Sequence, residues 1–167
     1  MKDLNNRTLP ATDPAAMLAY HRELTELSKT ANAARGTFNE LSERVKYYRS
    51  ATRLLEDEDL EQRVAALEDQ VDALRITMYG DPLKRKLEID QAPSLSRRIN
   101  TAIYTGMSSL SDPTETSKMV KKIAEEQLSP VLATLQKLRE ESLPAIDAEL
   151  DRLGAPWTPG RVLRPRN

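Results

Sequence analysis

The feature that most constrains this chain is an unbroken run of mostly apolar positions, spaced alternately three and four residues apart. Side chains with this spacing share one face of an α-helix, and a seven-residue period is typical of helices that coil around a neighbour. Asp13 and Pro14 fit the start of such a helix as a cap and a first residue. The run therefore predicts one long first helix, with these positions facing a partner: Met17, Tyr20, Leu24, Leu27, Ala31, Ala34, Phe38, Leu41, Val45, Tyr48, Thr52 and Leu55.

A second helix follows the acidic stretch "EDED" at residues 56–59. Carboxylates favour the positive end of a helix, whereas a calcium loop needs glycine and alternating ligands, so the stretch indicates a helix start rather than a cation site. Gly80 and Pro82 then predict its end. The first two helices should form an antiparallel, coiled-coil-like hairpin. The second stripe consists of Leu60, Val64, Leu67, Val71, Leu74 and Met78.

Residues 80–93 have no clean period and are interpreted as a crossover or a functional loop. Its cations Lys84, Arg85 and Lys86 favour a solvated patch, with contact to an anion as the alternative. Ser94 caps a third helix that should reach about Leu110. Gly36, on the far side of the first helix, is expected to mark a bend or a close helix crossing.

A last helical stretch is predicted from about Thr114 to Leu153, where Gly154 ends it. Pro130 and Pro144 each remove a backbone donor, so kinks or short breaks are expected there. The apolar stripe also skips a step between Leu138 and Leu143.

These patterns predict an all-α fold, an antiparallel helical bundle of about four helical segments. The expected organisation is a linker over residues 1–12, the bundle over 13–160, and a basic flexible tail over 161–167 with Arg161, Arg164 and Arg166. No strand pattern is present, so the helical stripes must be buried against one another.

The sequence offers little for catalysis or cofactor binding. It contains no cysteine and one histidine, His21, which is expected at the surface or its boundary. Neighbouring acids such as Glu140 and Glu141 lie off the stripes, so a glycosidase pair is not favoured. A net charge of -1 argues against nucleic-acid binding, and no apolar run is long enough for a membrane span. We predict no catalytic residue, metal or cofactor.

Two aromatic residues are candidates for interaction. Tyr47 and Tyr48 are adjacent, so a helix directs Tyr48 to the core and leaves Tyr47 for an interface. Trp157 lies in the irregular segment "GAPWTPG" at residues 154–160. It is expected to fold back and cover the open end of the bundle, with stacking on a sugar or a partner as the alternative.

Three stretches carry a family resemblance: "TGMSSLSDPTETS" from Thr105, "LSPVLATLQKL" from Leu128, and "LPAIDAELDRLGAPWTPGR" from Leu143. They resemble the C-terminal helical domain of large bacterial proteins built on sortilin-type, BNR-repeat β-propellers. Gly80, Asp81 and Pro82 match the Gly-Asp-Pro loop of that family. The resemblance spans roughly residues 13–162, and the central loop "LKRKLEIDQAP" departs from the pattern.

The resemblance implies a C-terminal module of an exported protein, found in the periplasm, at the cell surface or outside the cell. Any hydrolase activity of the family would belong to the propeller, so no catalytic residue is carried over. The leading hypothesis is a non-catalytic module that binds its own propeller or an envelope protein. A self-associating coiled coil, such as a homodimer, is the alternative, and a part of a glycoside hydrolase is the third.

Overall fold

The computed structural model describes residues 11–108 and 111–161, and in this part of the chain every regular element is helical. The helices pack on one another, which confirms the all-α bundle. A π-helical turn lies between the last two helices. The elements are α1 (Pro14–Thr52), α2 (Glu58–Tyr79), α3 (Pro82–Lys86), α4 (Leu95–Met107), α5 (Glu115–Lys137), the π turn (Leu138–Ser142) and α6 (Leu143–Arg152).

The chain divides into two compact units. The first takes the residues up to Ala33 together with Thr77–Pro130, and the second takes Ala34–Ile76 and the residues from Val131 onward. Helices α1, α2 and α5 contribute residues to both units. Each unit is described by itself below.

The apolar stripes of the sequence form the cores of these units, as predicted. Phe38, Leu41, Val45 and Tyr48 are buried in the second unit, and Leu24 and Leu27 in the first. Gly36 is not the close crossing that we expected, because a Cβ there would have open space around it. The tight approach occurs in the first unit at Gly106, where a Cβ would stand 2.3 Å from Cδ1 of Leu24.

The second unit contains the predicted hairpin. Residues 53–57 join α1 to α2, and the Asp57 side chain accepts a hydrogen bond from the Leu60 amide at 2.9 Å. Glu58, Asp59 and Glu61 occupy the first turn of α2. The acidic stretch therefore starts a helix, as predicted, because it caps free amides and matches the helix dipole. Arg49 and Glu68 pair across the hairpin at 2.7 Å.

The last helical stretch runs from Glu115 to Arg152 with one irregularity. Pro130 lies inside α5, which continues through it, so of the predicted kink or short break the break is absent. Near Pro144 the chain forms the π turn instead, in which the Leu143 amide donates to the Leu138 carbonyl. The five-residue step from Leu138 to Leu143 is thus one i→i+5 turn, and it keeps both leucines buried.

Among the described helices, none combines the length and the apolar character that crossing a bilayer requires.

Candidate functional site

The most exposed ordered element of the first unit is the segment from Gly80 to Gln91, here called the α3 loop. Every residue from Pro82 to Pro93 is exposed, and helix α3 has no buried residue. The sequence pattern predicts a connection without regular structure here, and that prediction missed the helix. The missed signal was Asp81-Pro82, the same cap and first residue that Asp13-Pro14 supply to α1.

Four hydrogen bonds hold the start of the α3 loop. The Asp81 carboxylate accepts from the Leu83 amide at 2.8 Å and from the Lys84 amide at 3.3 Å. The Asp81 amide donates to Oε1 of Gln91 at 2.9 Å, and Nε2 of Gln91 donates back to the Asp81 carbonyl at 3.3 Å. These bonds close the two ends of the loop on each other, which is the arrangement of a compact Ω-type loop.

The end of α3 is also fixed. The Ile89 amide donates to the Lys84 carbonyl at 2.9 Å, and the Glu88 amide donates to the Arg85 carbonyl at 3.3 Å. This bond pair defines a Schellman cap, in which one residue adopts the left-handed conformation. That residue is Glu88, with φ 55°. Glycine is the usual residue there, so Glu88 holds a strained backbone.

The α3 loop presents apolar side chains to solvent. Leu83, Leu87 and Ile89 are 68%, 66% and 51% exposed. Lys84, Arg85 and Lys86 are exposed as well, and none has an ion-pair partner among the described residues. A held loop with uncovered leucines and unpaired cations is a surface that a partner can cover without first ordering it.

Trp157 lies in the second unit and does not cover the bundle, so that expectation is wrong. The ring is 56% exposed, although its Nε1–H donates to the Arg161 carbonyl at 3.0 Å. The hydrogen bond holds the polar edge of the indole, and more than half of the residue is exposed. Stacking on a sugar or a partner therefore remains a prediction for this residue.

Arg161 holds the turn around Trp157 and is not part of a flexible tail. It is buried, it donates to the Pro156 carbonyl at 2.8 Å, and its guanidinium pairs with Asp151. Gly160 has φ +90°, and a Cβ there would meet Nε of Arg44 at 3.0 Å. The sequence pattern assigns Arg161 to the flexible tail because of its charge. Its burial gives it a structural role instead. Arg164 and Arg166 lie outside the described residues.

The two adjacent tyrosines separate as predicted. Tyr48 is 0% exposed and Tyr47 is exposed. The Tyr48 hydroxyl donates to Asp147 at 2.6 Å and accepts from Arg44 at 2.7 Å, while Arg44 pairs with Asp147 at 2.6 Å. Burial and the hydrogen bond to Asp147 raise the pKa of Tyr48 above its ordinary value. This closed triangle ties α1 to α6, and sequence spacing gave no sign of it.

The first unit contains a cavity of about 510 Å³ that three carboxylates line. Asp13 caps α1 by accepting from the Ala15 and Ala16 amides at 2.9 and 3.0 Å. Asp112 accepts from the amide and hydroxyl of Thr12. Glu23 pairs with Lys121 at 2.8 Å. Each carboxylate thus has a structural partner already.

The electrostatics of the cavity do not resemble those of a glycosidase pair. The hydrogen bonds from Thr12 lower the pKa of Asp112, whereas the general acid of such a pair needs a raised pKa. Burial favours the neutral form of Lys121, but hydrogen bonds to Glu23 and Glu125 outweigh the effect of burial and raise the pKa of Lys121.

In the described residues no group of three acidic or histidine side chains could hold a metal ion. Nε2–H of His21 donates to the Gly106 carbonyl at 3.0 Å, so the ring is used in a contact within the first unit.

Comparison with known proteins gives no further assignment. No family model matches the sequence, and no curated protein or solved structure matches the chain.

Proposed function

We propose that this chain is a non-catalytic helical module that binds a protein partner through the α3 loop. The observation that carries the proposal is the exposure of Leu83, Leu87 and Ile89 on a loop whose two ends are bonded together. Interfaces take most of their binding energy from a few large side chains that enter pockets on the partner. A loop held in one conformation loses little entropy when it binds.

The sequence resemblance supports a setting for this module. A C-terminal position in an exported β-propeller protein would give the loop two candidate partners, the propeller itself and an envelope protein. The apolar stripes are buried within the chain. This burial supports a structural role for the rest of the chain. The carboxylates of the cavity are likewise engaged in holding helix starts and a lysine.

Photo-cross-linking from inside the loop tests the proposal. The cross-linking amino acid p-benzoylphenylalanine replaces Ile89, which leaves both leucines intact. The matched control carries it at Leu54, which is 71% exposed in the turn after α1. The full chain is then irradiated in a preparation of the source cells, and the cross-linked species are identified by mass spectrometry.

We expect one protein to be captured from position 89 and not from position 54. Changing Leu83 and Leu87 to serine should reduce this capture at least about tenfold, the effect of losing roughly 1.4 kcal/mol of binding. Equal patterns from the two positions would refute the proposal. Capture of a second copy of this chain would favour the self-associating module instead.

A further inference from the structure

The cations of the α3 loop have defined positions relative to the leucines. A helix turns by roughly 100° per residue, so Leu83 and Leu87 share one side of the turn. On the same geometry Lys84 and Lys86 lie to either side of that leucine pair, and Arg85 lies opposite. The loop thus has an apolar centre with a positive charge on each flank, and both charges lack a partner among the described residues.

Two classes of target fit this pattern poorly. On a lipid surface, Ile89 could enter the acyl region only with Glu88 and Asp90, which directly precede and follow it. Taking carboxylates out of water is costly, and anionic lipids repel them. A nucleic-acid backbone would pair with the lysines but would leave the leucines uncovered. A protein surface can satisfy both groups at once.

We infer that the α3 loop recognises an apolar pocket with an acidic rim on another protein. Leu83 and Leu87 fill the pocket, and Lys84 and Lys86 pair with carboxylates on its two sides. This inference rests on the proposed function and adds the chemistry of the partner. Charge complementarity at the rim mainly steers and orients association, while the buried leucines supply affinity.

The position of Arg85 provides a matched control for this inference. Lys84→Glu with Lys86→Glu reverses the charges that flank the leucines, whereas Arg85→Glu reverses a charge on the opposite side of the same helix. Helix α3 buries no residue, so these variants should fold like the wild type. Circular dichroism and thermal unfolding of each variant verify that.

The experiment uses the cross-linker at position 89 in the full chain. We expect the double reversal to reduce capture at least about tenfold and Arg85→Glu to reduce it less than about twofold, which is below the roughly threefold loss that its charge change would give by net charge alone. The cross-linked peptide of the partner should contain Asp or Glu beside apolar residues. Raising the salt concentration should weaken capture by the wild type more than capture by the double variant.

Other results would overturn the inference and leave the proposed function standing. Capture that survives the double reversal would show a partner without an acidic rim. Arg85→Glu changes half as much charge as the double reversal, so a loss from it that is half as large on a logarithmic scale would show attraction by net charge alone. A third result would overturn the inference and the proposed protein partner together: binding to vesicles of phosphatidylcholine and phosphatidylglycerol that requires Leu87 would identify a membrane surface instead. Failure of the proposed function itself has a separate sign, which is the lack of capture above the position 54 control.

Discussion

At the scale of single residues, the two helical glycines Gly36 and Gly106 have opposite consequences. A Cβ at Gly106 would overlap Cδ1 of Leu24, and Leu24 is fully buried. A Cβ at Gly36 would meet nothing within 4 Å. We expect Gly106→Ala to destabilise the protein by about 1–3 kcal/mol and Gly36→Ala to stabilise it by up to about 1 kcal/mol. Chemical denaturation of both variants measures this, and changes of the same sign would contradict it.

Tyr48 makes a second residue-scale prediction, which concerns alkaline pH. Because its pKa is raised in the folded state, folding favours the protonated phenol. The resulting stability is complete below the unfolded pKa of about 10 and is lost as the pH rises beyond it. Tyr48→Phe should cost about 1–3 kcal/mol at pH 7 and should reduce the further loss at high pH. Some loss remains, because burial also raises the pKa of Tyr20.

The test of this prediction is to measure the free energy of unfolding at neutral pH and above pH 10. The wild type and Tyr48→Phe are compared at both pH values. Tyr47→Phe is the matched control, since Tyr47 is the exposed neighbour in the same helix. An alkaline loss that is equal in the wild type and in Tyr48→Phe would show that the Tyr48 phenol does not set it.

At the scale of elements, the two prolines of the last helical stretch should differ. Pro130 lies within α5, where it removes a hydrogen bond and crowds the preceding turn, whereas the π turn before Pro144 opens the backbone there. We expect Pro130→Ala to stabilise the protein by up to about 3 kcal/mol and Pro144→Ala to change it less. Thermal and urea unfolding distinguish them. A larger gain in stability from Pro144→Ala would mean that the π turn does not remove the clash between the Pro144 ring and the preceding turn.

The caps of α3 and α6 form another pair at this scale. The Gly154 and Ala155 amides make the same two bonds at the end of α6 that Glu88 and Ile89 make after α3. Gly154 has φ 69° and Glu88 has φ 55°. Glu88→Gly should stabilise the cap of α3, and Gly154→Ala should destabilise the cap of α6, each by about 1 kcal/mol. Hydrogen exchange of the cap amides should slow in the first variant and quicken in the second; the reverse order would contradict the strain at Glu88.

At the scale of the whole molecule, the heptad-like stripe of α1 is covered by the chain itself. Its members from Tyr20 to Tyr48 are buried, apart from the half-buried Ala31. We therefore expect a mass of 18.8 kDa by light scattering at every concentration tested. A mass that rises with concentration would revive the coiled-coil assembly, and the serine variants of Leu83 and Leu87 would then show whether the α3 loop causes it.

The sequence by itself determined the helical fold and most helix ends. Spacings of three and four placed the core positions, and local capping groups such as Asp13, Ser94 and Gly154 placed the boundaries, because both act between residues close in the chain. The five-residue step from Leu138 to Leu143 coincides with the π turn, where the sequence predicted only a kink or a short break. The α3 helix escaped because a single turn is too short to show a period.

Only the tertiary structure decided which side chains meet across the fold. Tyr48 and Asp147 lie 99 residues apart, and Thr12 and Asp112 lie 100 apart. No local rule relates such pairs, because their contact depends on how the helices pack. Helix packing also decides which residues are buried. It buries Arg161, and it leaves Trp157 and the leucines of the α3 loop exposed to solvent. The surface from which we infer function therefore came from packing and not from the pattern of the chain.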